Sequence, residues 1–158
     1  LMNAKTLFIS VGVILAIIAA FYLYHHHDSE TLTCSAKNYL HLDAQTQGVK
    51  IEGEVLLVFR ISSATKGRIS QVGSLNVQGK HYAVDRNVEL NFIGKDRDGY
   101  LQTRRVATVK NKNDNVPDEV TDLLMSRQDI FYYKIIHIAG NVYAIRDLRR
   151  TLMVCRAA

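Results

Sequence analysis

Three adjacent histidines, His25, His26 and His27, are the densest group of side chains in the sequence that could bind a metal ion or respond to pH. Imidazole nitrogens are zinc ligands, and the imidazole group titrates near neutral pH. Three neighbouring residues in a polar tether cannot all face one ion with good geometry. We therefore interpret them as a solvated linker, with pH sensing and metal binding as the alternatives. The remaining histidines lie in separate segments: His41, His81 and His137.

Two carboxylates, Glu52 and Glu54, have the spacing of residues on one face of a strand, where they could imitate an acid–base pair. Glycosidase-type pairs need a controlled separation across a cleft, so an exposed strand is the simpler interpretation. The sequence contains no GxSxG, HExxH or P-loop pattern. We expect no enzymatic activity and no cofactor.

The only two cysteines are Cys34 and Cys155, and they would lie at opposite edges of one domain. In an oxidising compartment such a pair predicts a disulfide that ties the first strand to the last. Closing a loop of this length would stabilise the fold by about 4 to 5 kcal/mol in the chain-entropy description. Two buried or free thiols are the alternative, and without a CxxC motif a catalytic cysteine is disfavoured.

An uncharged apolar run, LFISVGVILAIIAAFYLY, covers residues 7–24. As an α-helix it would extend about 27 Å, close to the thickness of a bilayer core, so it predicts a transmembrane anchor. A cleaved signal peptide is the alternative. Lys5 precedes the run, and the positive-inside rule then places residues 1–6 in the cytoplasm. Residues 25–33 would be a tether, and residues 34–158 a periplasmic domain on a bacterial inner membrane.

The basic character of the chain is mild, with a net charge of +5. Lysine and arginine are interleaved with acidic residues, and the densest basic segments are Arg104–Arg105 and Arg146–Arg150. A direct nucleic-acid binder would concentrate its positive charge on one face, so we do not expect that function. Solvated surface is the simpler interpretation, and an anion or partner patch is the alternative.

Alternating apolar residues dominate the region after the tether, as in KIEGEVLLVFRIS at residues 50–62. The sequence predicts six or seven strands, with a bulge at Gly73 and hairpin turns at residues 96–99 and 140–141. One helix is expected after Pro117, with Asp118 and Glu119 in its first turn and an apolar stripe of Val120, Leu123 and Leu124. The predicted fold is a small antiparallel β-barrel or sandwich.

Several aromatic residues share the apolar phase of these strands, and packing in the core is their simplest role. In a barrel the same side chains could line an apolar ligand pocket. An exposed strand edge is another way in which such a sheet could bind a partner. The aromatic residues are Phe59, Tyr82, Phe92, Phe131 and Tyr133.

The apolar run, the cysteine soon after it, and the segment NVYAIRDLRRTLMVC at residues 141–155 together resemble the FidL-like membrane proteins of enteric bacteria. In layout this family is similar to the ToxS-type partners of ToxR-like regulators, which are single-span proteins with a cytoplasmic DNA-binding domain. The resemblance implies an accessory protein that stabilises or modulates such a regulator. It also implies a lipocalin-like barrel able to hold an apolar molecule such as a bile salt.

We therefore expect a membrane-anchored periplasmic protein whose partner is a single-span transcriptional regulator. A sensor domain that binds an apolar ligand, or an envelope assembly factor, are the alternatives.

Overall fold

The computed structural model describes residues 12–22, 31–44, 49–124 and 128–158, and it divides the chain into two units, Leu1–Glu30 and Thr31–Ala158. In the first unit, residues 12–22 form a helix, α1. Among the described residues, no helix combines the length and apolar character needed to cross a membrane. The remainder of the predicted span, the predicted cytoplasmic segment, and His25, His26 and His27 lie outside the described residues.

The second unit is an antiparallel barrel in which each strand bonds to the next along the chain and the last strand bonds to the first. Eight strands are present in the described part of this unit. They are β1 (Leu32–Ala44), β2 (Val49–Ser63), β3 (Lys66–Val77), β4 (Lys80–Lys95), β5 (Leu101–Lys110), β6 (Ile130–Ala139), β7 (Val142–Arg146) and β8 (Thr151–Ala157). A helix, α2 (Asp118–Leu124), lies in the connection between β5 and β6. The prediction of a mainly β fold with one late helix is confirmed, and the choice between barrel and sandwich is settled as a barrel.

The period-two pattern of the sequence explains why these segments are strands. In β4 the even-numbered residues from Val84 to Phe92 are buried, and the residues between them are more exposed. Successive side chains of a strand point to opposite faces, so this alternation places one set inside the barrel.

The predicted hairpin turns are confirmed. Between β4 and β5, the N–H of Asp96 donates to the carbonyl of Tyr100 at 2.9 Å, and Gly99 adopts a φ of 85°. Such a positive φ is easy for glycine and strained for residues with a Cβ. Residues 140–141 make the corresponding turn between β6 and β7.

The count of six or seven strands was too low, because the alternation that predicted the strands begins at residue 50 and β1 lies before it. At the far end of the domain, a tight turn separates β7 from β8. The N–H groups of Arg149 and Arg150 each donate to the carboxylate of Asp147 at 2.7 Å. The basic segment that ends at Arg150 therefore belongs partly to a turn whose backbone is held by an acidic side chain. At the other end of the domain, β1 already begins at Leu32, inside the predicted tether.

The predicted bulge at Gly73 was wrong. The register between β2 and β3 runs without interruption from Ile51 to Ile61, and Gly73 pairs directly with Val55. A Cβ on Gly73 would lie only 2.1 Å from the carbonyl oxygen of Glu54. The glycine therefore permits close approach of two regular strands, which is the other common reason for glycine within a sheet.

The barrel is complete at one end only. β1 pairs with β2 along all 13 of its residues, but it pairs with β8 only at Cys34 and Ser35. β5 likewise pairs with β6 only from Leu101 to Arg104. We call the end where β6, β7 and β8 complete the barrel the closed end. The other end, where β1 to β5 extend past them, is the open end.

Two groups of buried side chains fill the barrel. The closed-end cluster consists of Cys34, Phe59, Val88, Leu90, Phe92, Tyr133, Ile145, Met153 and Cys155. The open-end cluster consists of Ile51, Val55, Leu75, Val77, Val84, Val116 and Val120. Leu57 is partly buried and packs against both. The open-end cluster has no side chain from β6, β7 or β8, and two members, Val116 and Val120, come from the connection that contains α2.

A disulfide joins Cys34 to Cys155, with their Cα atoms 5.4 Å apart, as the sequence predicted. Both residues are buried in the closed-end cluster. The bond links β1 to β8 beside their two register pairs, so it fastens the closure of the barrel. Its partners are 121 residues apart in the chain.

Replacing both cysteines by alanine should lower the free energy of unfolding by about 3 to 5 kcal/mol, because a long loop is no longer closed in the unfolded chain. Urea unfolding of the oxidised wild-type protein and of the double variant measures this difference. Wild-type protein unfolded in the presence of a reductant is the control and should approach the variant. Alkylation of the folded, unreduced protein should leave both cysteines unmodified, and full labelling would contradict the assignment.

Candidate functional site

The predicted aromatic residues lie in the packed interior of the barrel. Phe59, Phe92 and Tyr133 belong to the closed-end cluster, Phe131 packs against it, and Tyr82 packs against the open-end cluster. The rings of Phe59 and Tyr133 meet edge to face at a centroid distance of 6.2 Å, and those of Phe131 and Tyr133 stack at 6.0 Å. These contacts are typical of core packing.

The carboxylate pair lies on the outer face of β2, where each glutamate has a basic partner. Glu52 contacts Lys50 at 2.8 Å and His41 at 3.1 Å, and Glu54 contacts Lys37 at 2.9 Å. The hydrogen bond from Lys50 is the main reason that the pKa of Glu52 lies below its ordinary value. These are exposed ion pairs, which contribute little to stability.

The other two candidate histidines, His81 and His137, are exposed. His137 hydrogen-bonds through Nε2 to the carbonyl of Gly140 at 2.7 Å. Within the described residues, no three His, Cys, Asp or Glu side chains come close enough to hold a metal ion.

A cavity of about 180 Å³ lies inside the barrel, and it contains none of the predicted aromatic residues. Its walls are mostly aliphatic, with four polar side chains among them. The lining residues are Asn38, Leu40, Val55, Leu57, Gln71, Leu75, Val84, Arg86, Val116 and Thr121. Five of the lining residues are only partly buried: Asn38, Leu40, Leu57, Gln71 and Thr121. An apolar cavity with a few polar groups is the usual form of a small-molecule site.

A buried ion pair borders this cavity. Arg86 is 3% exposed, and the side chain of Asp114 is fully buried. The guanidinium donates from Nε to Oδ2 of Asp114 at 2.6 Å and from Nη2 to Oδ1 at 2.7 Å. A third donor, Nη1, lies 2.9 Å from the hydroxyl of Thr121. Two parallel bonds between a guanidinium and a carboxylate form a strong and strongly directional contact.

Hydrogen bonds to β4 position Asp114 opposite Arg86. The N–H of Asn111 donates to the carbonyl of Asp85 at 2.8 Å, and the N–H of Asp85 donates to the carboxylate of Asp114 at 3.0 Å. The side-chain oxygen of Asn115 accepts from the N–H of Ala83 at 2.7 Å. Residues 111–115 therefore run along β4 where β5 has ended.

The start of α2 follows directly from this attachment. The carbonyl of Pro117 accepts from the N–H of Thr121 at 3.0 Å and also from its hydroxyl at 3.1 Å, so the predicted position of Pro117 at the helix start is confirmed. Val116 and Val120 are then turned into the open-end cluster. The side chains of Leu123 and Leu124 lie outside the described residues. Residues 111–124 thus form a plug for the open end.

The charge of Asp114 is stabilised by its hydrogen bonds. Burial alone raises the pKa of this carboxyl group, because it disfavours the charged form. The bonds from Arg86 and from the N–H groups of Asp85 and Val116 outweigh burial, and the pKa lies below its ordinary value. The pair therefore remains ionised at neutral pH and has no net charge.

None of the residues predicted to line an apolar pocket lines this cavity. One signal in the sequence marks the site: a polar residue at an inward position of a strand, as at Arg86, Asn38 and Gln71. Asp114 lies in an irregular segment, where no periodicity indicates which way a side chain points.

Fold and site together define a small antiparallel barrel with one plugged end and an interior cavity. In a comparison with known protein families, the family described as "FidL-like putative membrane protein" matches residues 73–155, slightly more than half of the chain. The chain belongs to this FidL-like family, as its sequence suggested. The matched region runs from β3 to β8 and contains Arg86, Asp114, the plug and Cys155. No curated protein and no solved structure matched the chain.

Changing Arg86 to Met, or Asp114 to Asn, should each destabilise the protein by about 3 to 5 kcal/mol, because one buried charge loses its partner. The double variant should be far more stable than the sum of the two losses predicts, because no unpaired charge remains. Urea unfolding of the four proteins gives this coupling. The matched control is Asp118→Asn, which breaks the exposed pair with Lys110 and should have a much smaller effect. Additive losses would contradict a direct interaction.

The Arg86–Asp114 pair predicts that the stability of the protein falls in acid. Because the pKa of Asp114 is lower in the folded state, the stability it provides is present above the unfolded pKa of about 3.9. That contribution is lost as the pH falls through the folded pKa. Stability measured from pH 6 down to pH 2 should therefore fall less steeply for Asp114→Asn than for the wild type. Parallel curves would contradict the assignment.

The buried Tyr133 predicts that the stability of the protein falls in alkali. Burial, followed by the nearby charge of Asp147, raises its pKa to about 12. An acidic group with a raised folded pKa favours the folded state below its unfolded pKa of about 10, and this stability is lost as the pH rises from there through the folded pKa. Urea unfolding between pH 8 and pH 11.5 should show a smaller loss for Tyr133→Phe than for the wild type. Tyr39→Phe, on an exposed ring, is the control, and equal losses in all three proteins would refute the prediction.

Proposed function

We propose that this chain is an accessory protein on the periplasmic side of a bacterial inner membrane, where it stabilises or modulates a single-span, ToxR-like transcriptional regulator. Three findings support this. Its family is described as one of membrane proteins, residues 7–24 are uncharged and apolar, and the barrel is closed by a disulfide, which persists in oxidising compartments. The protein would act by binding, without catalysis.

The observation that carries the proposal is a free strand edge. The carbonyl of Thr33 accepts from the N–H of Ala158 at 3.2 Å, on the side of β1 that faces β8. Backbone groups alternate sides along a strand, so Lys37, Tyr39 and His41 direct their N–H and C=O groups to that same side. Within the described residues, β1 has no ladder partner there beyond Ser35.

An unpaired edge of this length is a natural place for a strand from another protein. Free edges tend to recruit additional strands, and natural proteins usually cover or disrupt them. The exposed side of this edge includes Tyr39, whose side chain is 75% exposed, and the Lys37–Glu54 ion pair. Backbone bonds would supply much of the affinity, and side chains such as Tyr39 would supply specificity. We therefore assign β1 as the surface that receives the regulator.

A second candidate function is a sensor that binds a small ligand inside the barrel. It is favoured by the cavity and by the four polar side chains that line it. A cavity of about 180 Å³ is close to the engineered cavity of about 150 Å³ that holds a benzene molecule. A four-ring bile salt is far larger than this space, so the cavity favours a smaller ligand than the one implied by the family resemblance.

The regulator proposal is tested by crosslinking the full-length protein in its native membrane, purifying it in detergent and identifying its partners by mass spectrometry. A single-span protein with a cytoplasmic DNA-binding domain is the expected partner. Tyr39→Pro should reduce its recovery at least about fivefold, because proline removes one edge N–H and disfavours strand addition.

Tyr39→Val is the matched control, since it keeps the N–H and favours a strand. It should retain more of the partner than Tyr39→Pro does. Equal recovery with both variants would exclude β1 as the binding edge. Recovery of only transport or assembly machinery would instead support an envelope assembly factor and overturn the regulator proposal.

A further inference from the structure

We infer that the cavity binds a small uncharged molecule with an apolar body, about one ring in size, and a head group that accepts hydrogen bonds. This inference rests on the ligand-binding function given above as the second candidate. It is independent of the regulator proposal, which depends on the outer edge of β1.

The size of the cavity limits the ligand. Sites for drug-sized molecules occupy about 300 to 1,000 Å³, whereas a cavity of about 150 Å³ takes a single benzene ring. At about 180 Å³, this cavity fits one ring with a small substituent. Its aliphatic walls, which include Val55, Leu57 and Leu75, would contact the apolar body.

Unused hydrogen-bonding groups define the head of the ligand. Arg86 has five N–H groups, and its contacts with Asp114 and Thr121 occupy three of them. Each nitrogen of this cavity-lining residue thus has one partner, and two N–H groups have no acceptor among the described residues. The side-chain amides of Asn38 and Gln71 also line it, and neither makes a hydrogen bond within the described residues. Asn38 and Gln71 are partly exposed, and every buried side-chain nitrogen and oxygen in the described residues has a partner, so a ligand head group would accept bonds from these groups in place of water.

The charge balance of the cavity favours a neutral ligand. The carboxylate of Asp114 neutralises Arg86 through two short bonds, and the other lining side chains carry no charge. Lys110, which donates to the carbonyl of Val116 behind the lining, is itself paired with Asp118. An ionised ligand would lose its hydration and find no free counter-charge, which is unfavourable in an apolar site.

Four probes of nearly equal size distinguish a neutral polar ligand from a purely apolar, an anionic or a cationic one: benzamide, toluene, benzoate and benzylammonium. Each is titrated into the full-length protein in detergent, and binding is followed by calorimetry and by the shift in melting temperature. Benzamide should bind at least about tenfold more tightly than benzoate or benzylammonium, since it provides both a ring and an uncharged acceptor. Toluene should bind more weakly than benzamide, because it leaves the polar groups without partners.

Gln71→Leu tests the site itself, because it removes one amide from the cavity at nearly constant volume and leaves the Arg86–Asp114 pair intact. It should weaken benzamide about five- to tenfold and leave toluene unchanged or slightly tighter. The matched control is Gln102→Leu on β5, which lies outside the cavity lining and should bind benzamide as the wild type does.

The outcomes show separately whether the barrel binds a small ligand and whether that ligand is neutral. If benzoate binds most tightly and Gln71→Leu weakens it, the barrel is a ligand-binding domain but the ligand is an anion, and the inference is overturned. If no probe binds, the cavity holds only water, and both the inference and the ligand-binding function fail. The regulator proposal would remain standing in either case, since its test is partner recovery.

Discussion

A guanidinium group on the inner face of β4 is the constraint on which the open end of this barrel depends. Arg86 is almost fully buried, and a charge in that position is tolerated only with a partner of opposite sign and good geometry. No neighbouring strand supplies one, so the carboxylate comes from the segment after β5. Asp114 reaches Arg86 because residues 111–115 continue along β4. The ion pair and the hydrogen bonds of residues 111–115 to β4 together position α2, and with it the buried Val116 and Val120.

Different side chains fill the two ends of the barrel. At the closed end eight strands converge, and large side chains such as Phe59 and Tyr133 fill the space. At the open end only the longer strands remain, and valines together with the plug cover a wider gap. Leu57 touches both clusters, and the cavity begins beside it. An empty space persists there because neither cluster extends far enough to fill it, and polar side chains border it.

The parts of this structure that depend on local rules could be predicted from sequence. The alternation of apolar residues in β4, the turn at Gly99 and the helix after Pro117 each depend on the conformational preferences of a few neighbouring residues. The strand missing from the predicted count is β1, whose apolar phase is interrupted by a polar residue, Asn38, that faces the cavity. Gly73 could be read as a bulge or a close approach, and only the position of β2 decides between them. The partner of Arg86 was not predictable, because it depends on how an irregular segment is positioned in three dimensions.

The closure of the barrel also determines the order in which its parts can form. Apart from the pairing of β1 with β8, every strand pair joins neighbours in sequence. Most of these pairs are hairpins with short turns, which lose little chain entropy on forming, whereas the connection between β5 and β6 contains α2. The pairing of β1 with β8 is different, because its residues lie more than a hundred positions apart in the chain. Only two register pairs form between these strands. Closure is therefore the pairing that costs the most chain entropy. The disulfide between Cys34 and Cys155 offsets part of that cost, because it keeps the first and last strands together even in the unfolded chain.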